Sequence, residues 1–252
     1  MNIIKTVKYN IEPTLMIHSF SSNIFPGDNV SINIDNIMNE SGFTNSFLEL
    51  LKTKNINTIT FDDGLYQQIP LIKLFKKNDF RVIFFPSGKF IRDDNIKPII
   101  VENSIAHKQY HSTKTYPNTF MSSVEIWDLL YEKNEFGIHG WYHYNLNPKQ
   151  LTDHIGTNNF RQVLKALKDD AERCSNLYIE YVNKEESFFI ENGILNINYC
   201  TPYNCLNEYQ KLYIDFLYVF LKNINRKITE IRINVFSGER LSLEHLLGNL
   251  KE

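Results

Sequence analysis

The sequence predicts an α/β fold with a mainly parallel sheet. Strand-like and helix-like segments alternate along the 252 residues, as they do in consecutive βα units. About seven such units can be counted. Because strands that are buried on both faces need helices outside them, we expect a distorted (β/α) barrel with about seven parallel strands and outer helices. No repeat or linker divides the chain, so one domain over 1–252 is expected.

The first half of the chain supplies strands and helices in alternation. Apolar and β-branched runs predict strands at 14–18, 57–61, 81–85 and 97–101. Apolar residues at helical spacing predict helices near 47–51 and 70–77. Pro70 suits the first turn of the second helix because its missing N–H costs little there. Residues 102–121 have no clear period and are expected to form a loop.

The second half continues the pattern. Ser122 followed by Glu125 is a capping box, which predicts that a helix begins there and runs over 124–132. Further helices are predicted at 160–174, 206–224 and 241–250, and further strands at 136–138, 194–199 and 228–236.

Composition excludes several classes of protein. The formal net charge of −2 gives no electrostatic basis for binding nucleic acid. Cys174, Cys200 and Cys205 are odd in number and include no C-x-x-C pair, which argues against a disulfide framework and a structural zinc site. The amino terminus lacks the apolar core of a signal peptide, and the longest apolar stretch, 212–221, is too short to cross a bilayer. We therefore expect a cytoplasmic protein without stable membrane insertion, and its oligomeric state stays open.

Two short segments carry the residues suited to catalysis. Asp62 and Asp63 directly follow a predicted strand, and Gly64 permits a tight turn after them. His139 and His143 follow another predicted strand. In a (β/α) barrel the reacting groups lie at the carboxyl ends of the strands, so both segments are expected at the same end of the sheet.

Together these residues suit a mononuclear metal hydrolase. Two imidazoles and one carboxylate form a metal site with open positions, and a second carboxylate is left to act as a base. His139 and His143 are four apart, so they share a face if they lie on one helical turn. His107 and His111 have the same spacing, but no predicted strand leads into them and Lys108 would repel a cation. We interpret that pair as loop histidines, with a substrate contact as the alternative.

The two segments resemble the polysaccharide deacetylase family, also called the NodB-homology or carbohydrate esterase 4 family. Its first motif reads T-F-D-D-G, as residues 60–64 do, and its second reads H-S/T-x-x-H. Trp141 and Tyr142 fill positions of the second motif that vary in the family. The resemblance covers most of residues 14–205.

The resemblance implies a ligand set and a base. Asp63, His139 and His143 would bind one divalent metal ion, and Asp62 would be the general base that acts on a metal-bound water. Zinc is the first expectation. Cobalt, nickel, iron and manganese are alternatives, because ligands of this kind do not determine the metal.

A third segment, 198–204, resembles the family motif R-x-P-Y-G. Pro202 and Tyr203 are retained, and the resemblance implies that the backbone N–H of Tyr203 helps to bind the oxyanion. Cys200 stands where the arginine is expected, and Asn204 stands where the glycine is expected. Asn tolerates the left-handed conformation that Gly often supplies.

Two roles in the family lack a clear residue here. Arg232, within the last predicted strand, and Arg240, near the strand end, are candidates to replace the missing arginine. The strand-end histidine that serves the family as general acid has no clean counterpart, and His154 and His245 are the candidates that the sequence offers. Trp141 and Pro202 are candidate substrate contacts, as are Arg232 and Arg240.

The resemblance predicts a metal-dependent carbohydrate N-deacetylase. It would remove an N-acyl group, most simply acetyl, from an amino sugar, a sugar nucleotide or a lipid-linked glycan. The alternative is a catalytically degenerate protein of the deacetylase fold that binds or scaffolds in glycan assembly, an alternative motivated by the missing arginine and acid histidine. The survival of Asp62 beside Asp63 favours the enzyme.

Overall fold

The computed structural model describes residues 3–17, 19–21, 31–33, 41–99, 117–237 and 240–242. Their packing separates two compact units, each built from several chain segments. Unit 1 takes its described residues from 1–10, 87–89 and 137–238, and unit 2 takes them from 11–86, 90–136 and 239–252. The single domain expected over 1–252 stays a prediction.

The described elements alternate much as the sequence predicts. The strands are β1 (Ile4–Tyr9), β2 (Thr14–Ile17), β3 (Ser19–Ser21), β4 (Ser31–Asn33), β5 (Thr58–Asp63), β6 (Arg81–Pro86), β7 (Glu135–Ile138), β8 (Ile190–Glu191), β9 (Ile194–Tyr199), β10 (Glu230–Val235) and β11 (Leu241–Ser242). The helices are α1 (Ser41–Thr53), α2 (Ile69–Lys77), α3 (Ser123–Tyr131), α4 (Pro148–Ile155), α5 (Phe160–Lys184) and α6 (Glu208–Leu221).

The main sheet has the strand order β1-β10-β9-β7-β6-β5-β2-β11, and β8 pairs with β9. Every pair along this order is parallel, and β8 is antiparallel to β9. Seven of these strands, all except β8 and β11, are four to six residues long. The predicted fold class is therefore confirmed: an α/β protein with a distorted barrel-like parallel sheet and surrounding helices.

The core of unit 2 forms around β5. All six residues of this strand are buried, as expected for a parallel strand that is covered on both faces. The ring of Phe75 on α2 packs against the rings of Phe61 and Phe47, with centroids 6.1 and 6.3 Å away. Aromatic burial thus anchors the strand whose last two residues are Asp62 and Asp63.

The core of unit 1 forms where α5 and α6 cover β9. Leu195 and Ile197 on β9 are fully buried, as is Leu167 on α5. The rings of Tyr199 on β9 and Tyr213 on α6 stack with centroids 5.5 Å apart. This packing holds the carboxyl end of β9 against the helices.

Several predicted elements differ from the observed ones. The sequence did not predict β1, because lysines interrupt its apolar residues, although it pairs in parallel with β10. Helix α4 was also not predicted, because it is mainly polar. Pro148 at its start and the left-handed Gly156 at its end are sequence signals that could have predicted it. Residues 97–99 are not in a strand.

The predicted carboxyl-terminal helix is wrong at its start. Leu241 and Ser242 form β11, which pairs with β2, and the rest of the predicted helix lies outside the described residues. The capping box of α3 is confirmed, with Ser122 and Glu125 bonding to each other's backbone N–H. Among the described helices, none combines the length and the apolar composition needed to cross a membrane.

Candidate metal centre

The acidic motif lies inside the end of β5 rather than on the loop after it. Asp62 and Asp63 pair in register with Phe85 and Pro86 of β6, and both aspartates are 1% exposed. Asp63 has φ +77° and Gly64 has φ +79°. A left-handed conformation costs a non-glycine residue about 1–2 kcal/mol, and such strain concentrates at functional sites.

Gly64 is required by the neighbouring strand as well as by its own φ. A Cβ atom at this position would lie 2.6 Å from Cβ of Pro86, far inside van der Waals contact. The backbone of β5 therefore turns away at the one residue type that can pass Pro86 this closely.

Asp62 is held by a buried arginine. Nη1 and Nη2 of Arg240 donate to Oδ1 and Oδ2 of Asp62, each at 2.8 Å, and the Arg240 side chain is 3% exposed. Gln68 Nε2 donates to the backbone oxygen of Asp62 at 2.6 Å. Arg232, the other candidate, instead forms an ion pair with Glu230. A two-point ion pair of this kind fixes the orientation of the carboxylate.

The histidine loop, residues 139–143, begins where β7 ends. The two histidines do not lie on one helical turn: the loop is irregular, with Gly140 at φ +80° and His143 at φ +57°. The two imidazole rings nevertheless approach each other, with centroids 5.0 Å apart. Two left-handed residues, rather than a helical turn, thus accompany the approach of the two rings.

The tautomer of His139 follows from its hydrogen bond. Nδ1 lies 2.9 Å from the backbone oxygen of Cys200. Because a carbonyl oxygen only accepts, Nδ1 carries the hydrogen and the lone pair is on Nε2. This is the usual outer contact of a metal-binding histidine.

The predicted ligands come together. One ligand atom from each of Asp63, His139 and His143 lies within 4.8 Å of the other two, and all three residues are buried. A second group, Asp62, His139 and Cys200, meets the same distance, but Arg240 bonds both oxygens of its carboxylate. The first group therefore suits a divalent ion better, because two neutral imidazoles and one carboxylate are ligands that zinc and related metals accept.

The third motif lies beside the histidine loop. The ring of Tyr203 is 5.0 Å from that of His143, between ring centroids, and Tyr203 has φ +59°. A Cβ atom added at Gly140 would lie 3.6 Å from Cγ of Pro202. Cys200, which replaces the family's arginine, is fully buried. The oxyanion role of the Tyr203 N–H and the substrate contact at Pro202 stay predictions.

The indole of Trp141 packs against Gly88 and Arg173. A Cβ atom at Gly88 would lie 2.4 Å from Cε3 of its indole, and the guanidinium carbon of Arg173 is 5.9 Å from its ring centroid. Its role as a substrate contact stays a prediction.

The candidates for the general acid are only partly described. His154 lies on α4 and its Nδ1 accepts a hydrogen bond from the backbone N–H of Asn145 at 3.2 Å, so Nε2 carries a proton. Its ring centroid is 6.1 Å from that of Tyr203. The other candidate, His245, lies outside the described residues. So do the loop histidines, His107 and His111.

Asp170, a buried acid on α5, is not among the site residues that the sequence predicts. It lies on the apolar stripe formed by Leu167, Ala171 and Cys174, and all of these residues are buried. Burial raises the pKa of the Asp170 carboxyl, and hydrogen bonds from Tyr213 and from the histidine loop oppose that rise. An aspartate on the buried stripe of an amphipathic helix was the signal that was available in the sequence.

Comparison with known proteins does not assign the chain. No family model matches the sequence, and no curated protein matches it. Some solved structures are weakly similar. An arginine decarboxylase of Paramecium bursaria Chlorella virus is 15% identical, with 75% of this chain and 42% of that chain covered and a TM-score of 0.29. The agmatine-bound form of that enzyme is 12% identical, with 87% of this chain and 57% of that chain covered and a TM-score of 0.27.

A UDP-GlcNAc 2-epimerase of Methanocaldococcus jannaschii is 14% identical, with 93% of this chain and 75% of that chain covered and a TM-score of 0.24. This chain spans 42% and 57% of the two decarboxylase chains. Similarity at these TM-scores carries no argument about function.

Proposed function

We propose that this protein is a metal-dependent hydrolase that removes an N-acyl group, most simply acetyl, from an amino sugar or a glycan intermediate. The observation that carries the proposal is the buried ligand group of Asp63, His139 and His143 within 4.8 Å. The adjacent carboxylate of Asp62, held by Arg240, supplies a base. The resemblance of these residues to the deacetylase motifs supports the N-acyl amino sugar as the substrate class.

Asp63, His139 and His143 would hold the divalent ion, with zinc as the first choice and cobalt, nickel, iron or manganese as alternatives. Such an ion lowers the pKa of a bound water towards about 7 and polarises the acyl carbonyl. The carbonyl of Cys200 selects the tautomer of His139 in which Nε2, rather than Nδ1, would bind the ion.

Asp62 is suited to take the proton of the attacking water. Arg240 donates to both oxygens of this carboxylate, and a two-point ion pair of this kind fixes its orientation while it accepts the proton. General-base assistance of this kind contributes about 10²- to 10⁴-fold to the rate.

Tyr203 is the proposed source of the oxyanion contact. Its ring packs near His143 and its left-handed backbone turns sharply after Pro202. A backbone N–H that points at the developing negative charge stabilises the transition state more than the ground state.

The test is turnover by the metal-loaded protein. It is incubated with soluble N-acyl sugar nucleotides, with their lipid-linked forms, and with polymeric chitin or peptidoglycan, and carboxylate release is measured. We expect release from a sugar nucleotide or a lipid-linked amino sugar. Asp62→Asn should keep its metal and lose about 10²- to 10⁴-fold in kcat, whereas Asp169→Asn, which changes an exposed carboxylate, should match the wild type.

Two outcomes contradict the proposal in different ways. Bound metal with no turnover on any N-acyl sugar, even at stoichiometric enzyme, would favour the degenerate binding or scaffold protein. An Asp62→Asn variant that loses its metal would contradict the division of roles between Asp62 and Asp63.

A further inference from the structure

Asp170 contacts the peptide units that connect the two histidines of the histidine loop. The backbone N–H of Trp141 donates to Oδ1 of Asp170 at 2.9 Å, and that of Tyr142 donates to Oδ2 at 2.7 Å. Both oxygens thus hold consecutive N–H groups, which restrains the position and the tilt of the loop midway between His139 and His143.

The carboxylate is itself held from the helix side. Tyr213 O–H donates to Oδ1 of Asp170 at 2.5 Å, and the ring of Tyr213 stacks on Tyr199 at the end of β9. A Cβ atom at Gly140 would lie 3.6 Å from the same Oδ1. The three hydrogen-bond donors leave the carboxylate of Asp170 little freedom to move.

The loop needs such restraint because its backbone is strained. His143 adopts φ +57°, a region that costs a non-glycine residue about 1–2 kcal/mol and persists only where the surroundings determine it. The second anchor of the loop is the hydrogen bond from His139 Nδ1 to Cys200. The hydrogen bond of its own ring therefore orients His139, while Asp170 holds the backbone of the two residues that precede His143.

A buried carboxylate on the packing face of a helix costs free energy that an apolar side chain would not. Burial disfavours the charged form, and an apolar residue at position 170 would continue the stripe of α5 formed by Leu167, Ala171 and Cys174. All three of its hydrogen-bond partners are donors, as a carboxylate requires. The cost is explained if the loop, rather than the core, is what Asp170 serves.

We propose that Asp170 is a positioning residue that holds the histidine loop in the geometry in which His143 joins Asp63 and His139 as a metal ligand. This inference rests on the proposed metal centre. Asp170 is not a ligand: it acts through the backbone of Trp141 and Tyr142. Outer contacts of this kind typically change metal affinity or activity by about 10- to 100-fold.

The experiment compares Asp170→Asn with Cys174→Ala. The asparagine keeps the size of the side chain but replaces one acceptor oxygen by an NH₂ donor that faces a backbone N–H. Cys174 is the matched control, since it is buried one turn further along α5, contacts Tyr213 and does not contact the loop in the described hydrogen bonds. Each protein is stripped with a chelator, its fold is checked by circular dichroism, and its Zn²⁺ dissociation constant is measured by calorimetry.

Asp170→Asn is expected to bind Zn²⁺ about 10- to 100-fold more weakly than the wild type, while Cys174→Ala keeps the wild-type affinity even though its unfolding midpoint falls. Unchanged Zn²⁺ affinity in folded Asp170→Asn would overturn the assignment and leave the proposed function standing. A wild-type protein that binds no divalent metal would instead overturn the proposed function, and this inference with it.

A measurement on the wild type covers the case in which Asp170→Asn does not fold. In the metal-free protein the amide protons of Trp141 and Tyr142 should exchange with solvent as slowly as those of the buried face of α5, because both donate to a buried carboxylate. Fast exchange at these two amides would show that Asp170 does not hold the loop.

Discussion

Two adjacent aspartates end β5, and they contact different groups. Asp62 meets a guanidinium at 2.8 Å on each oxygen, whereas Asp63 contributes to the ligand group with His139 and His143. The difference arises because successive side chains in a strand point to opposite faces and because Asp63 adds a left-handed turn. Chemically identical residues thereby acquire different proposed roles.

Arg240→Ala is expected to cost far more stability than Arg232→Ala. Removing Arg240 leaves a buried carboxylate uncompensated, which typically costs about 3–5 kcal/mol of unfolding free energy. Arg232 pairs with Glu230 at 3.2 Å on a partly exposed face, and such pairs contribute about 0–1 kcal/mol. Urea unfolding of the metal-free variants measures both values. Equal losses would mean that the Asp62–Arg240 pair does not stabilise the fold beyond an ordinary surface contact.

His143→Ala is expected to remove most of the bound metal and all activity, because it deletes one of the three proposed ligands. His154→Ala is the matched control: this histidine packs near Tyr203 but is not in the ligand group, so its metal content should stay stoichiometric. Elemental analysis after gel filtration gives the metal content. If His107→Ala loses the metal while His143→Ala retains it, the wrong histidine pair has been chosen.

At the scale of elements, the site depends on how strands end. β5 ends in a left-handed turn that passes Pro86 of β6, and β7 ends in the irregular histidine loop. Neither ending is a regular helix or hairpin. Each instead uses a glycine with positive φ, Gly64 or Gly140, to redirect a chain segment that carries a ligand.

Gly64→Ala should be more destabilising than Gly156→Ala. Both glycines have positive φ, +79° and +74°, so both substitutions carry the left-handed penalty of about 1–2 kcal/mol. Only at Gly64 would the new Cβ collide with Pro86, at 2.6 Å, whereas nothing lies within 4 Å at Gly156. Overpacking adds about 1–3 kcal/mol. Thermal unfolding and metal content are measured for both; equal effects would show that the β5–β6 contact relaxes without cost.

At the scale of the whole molecule, the proposed ligands come from two distant parts of the chain. Asp63 lies in the first third of the sequence and the histidines lie beyond its middle. A metal ion bound by such residues binds the folded chain far better than the unfolded chain, so its binding free energy adds to the stability of the fold.

Zn²⁺ should therefore raise the unfolding temperature of the chelator-stripped wild type. At a free concentration of about 100 times the dissociation constant, the stabilisation is about 2.7 kcal/mol, which corresponds to roughly 5–11 °C for a chain of this size. Differential scanning calorimetry with and without Zn²⁺ measures the shift. His143→Ala should show little of it, and an equal shift in that variant would place the metal elsewhere.

The alternation of strands and helices, the buried strands and the motif residues at their ends could all be predicted from the sequence. These are local properties: the period of apolar residues and the turn residues lie within a few positions of the element that they specify. β1 escaped prediction because lysines break its apolar period, and only its pairing with β10 makes it a strand.

Tertiary structure alone decided three features: the partner of Asp62, the shape of the histidine loop and the contacts of Asp170. Arg232 lies within β10 and Arg240 follows that strand, and packing brings Arg240 to Asp62, 178 positions away. The four-residue spacing of the histidines suits a helical turn, but the observed loop has left-handed residues at Gly140 and His143. Contacts across such separations depend on the path of the whole chain, which no local pattern encodes.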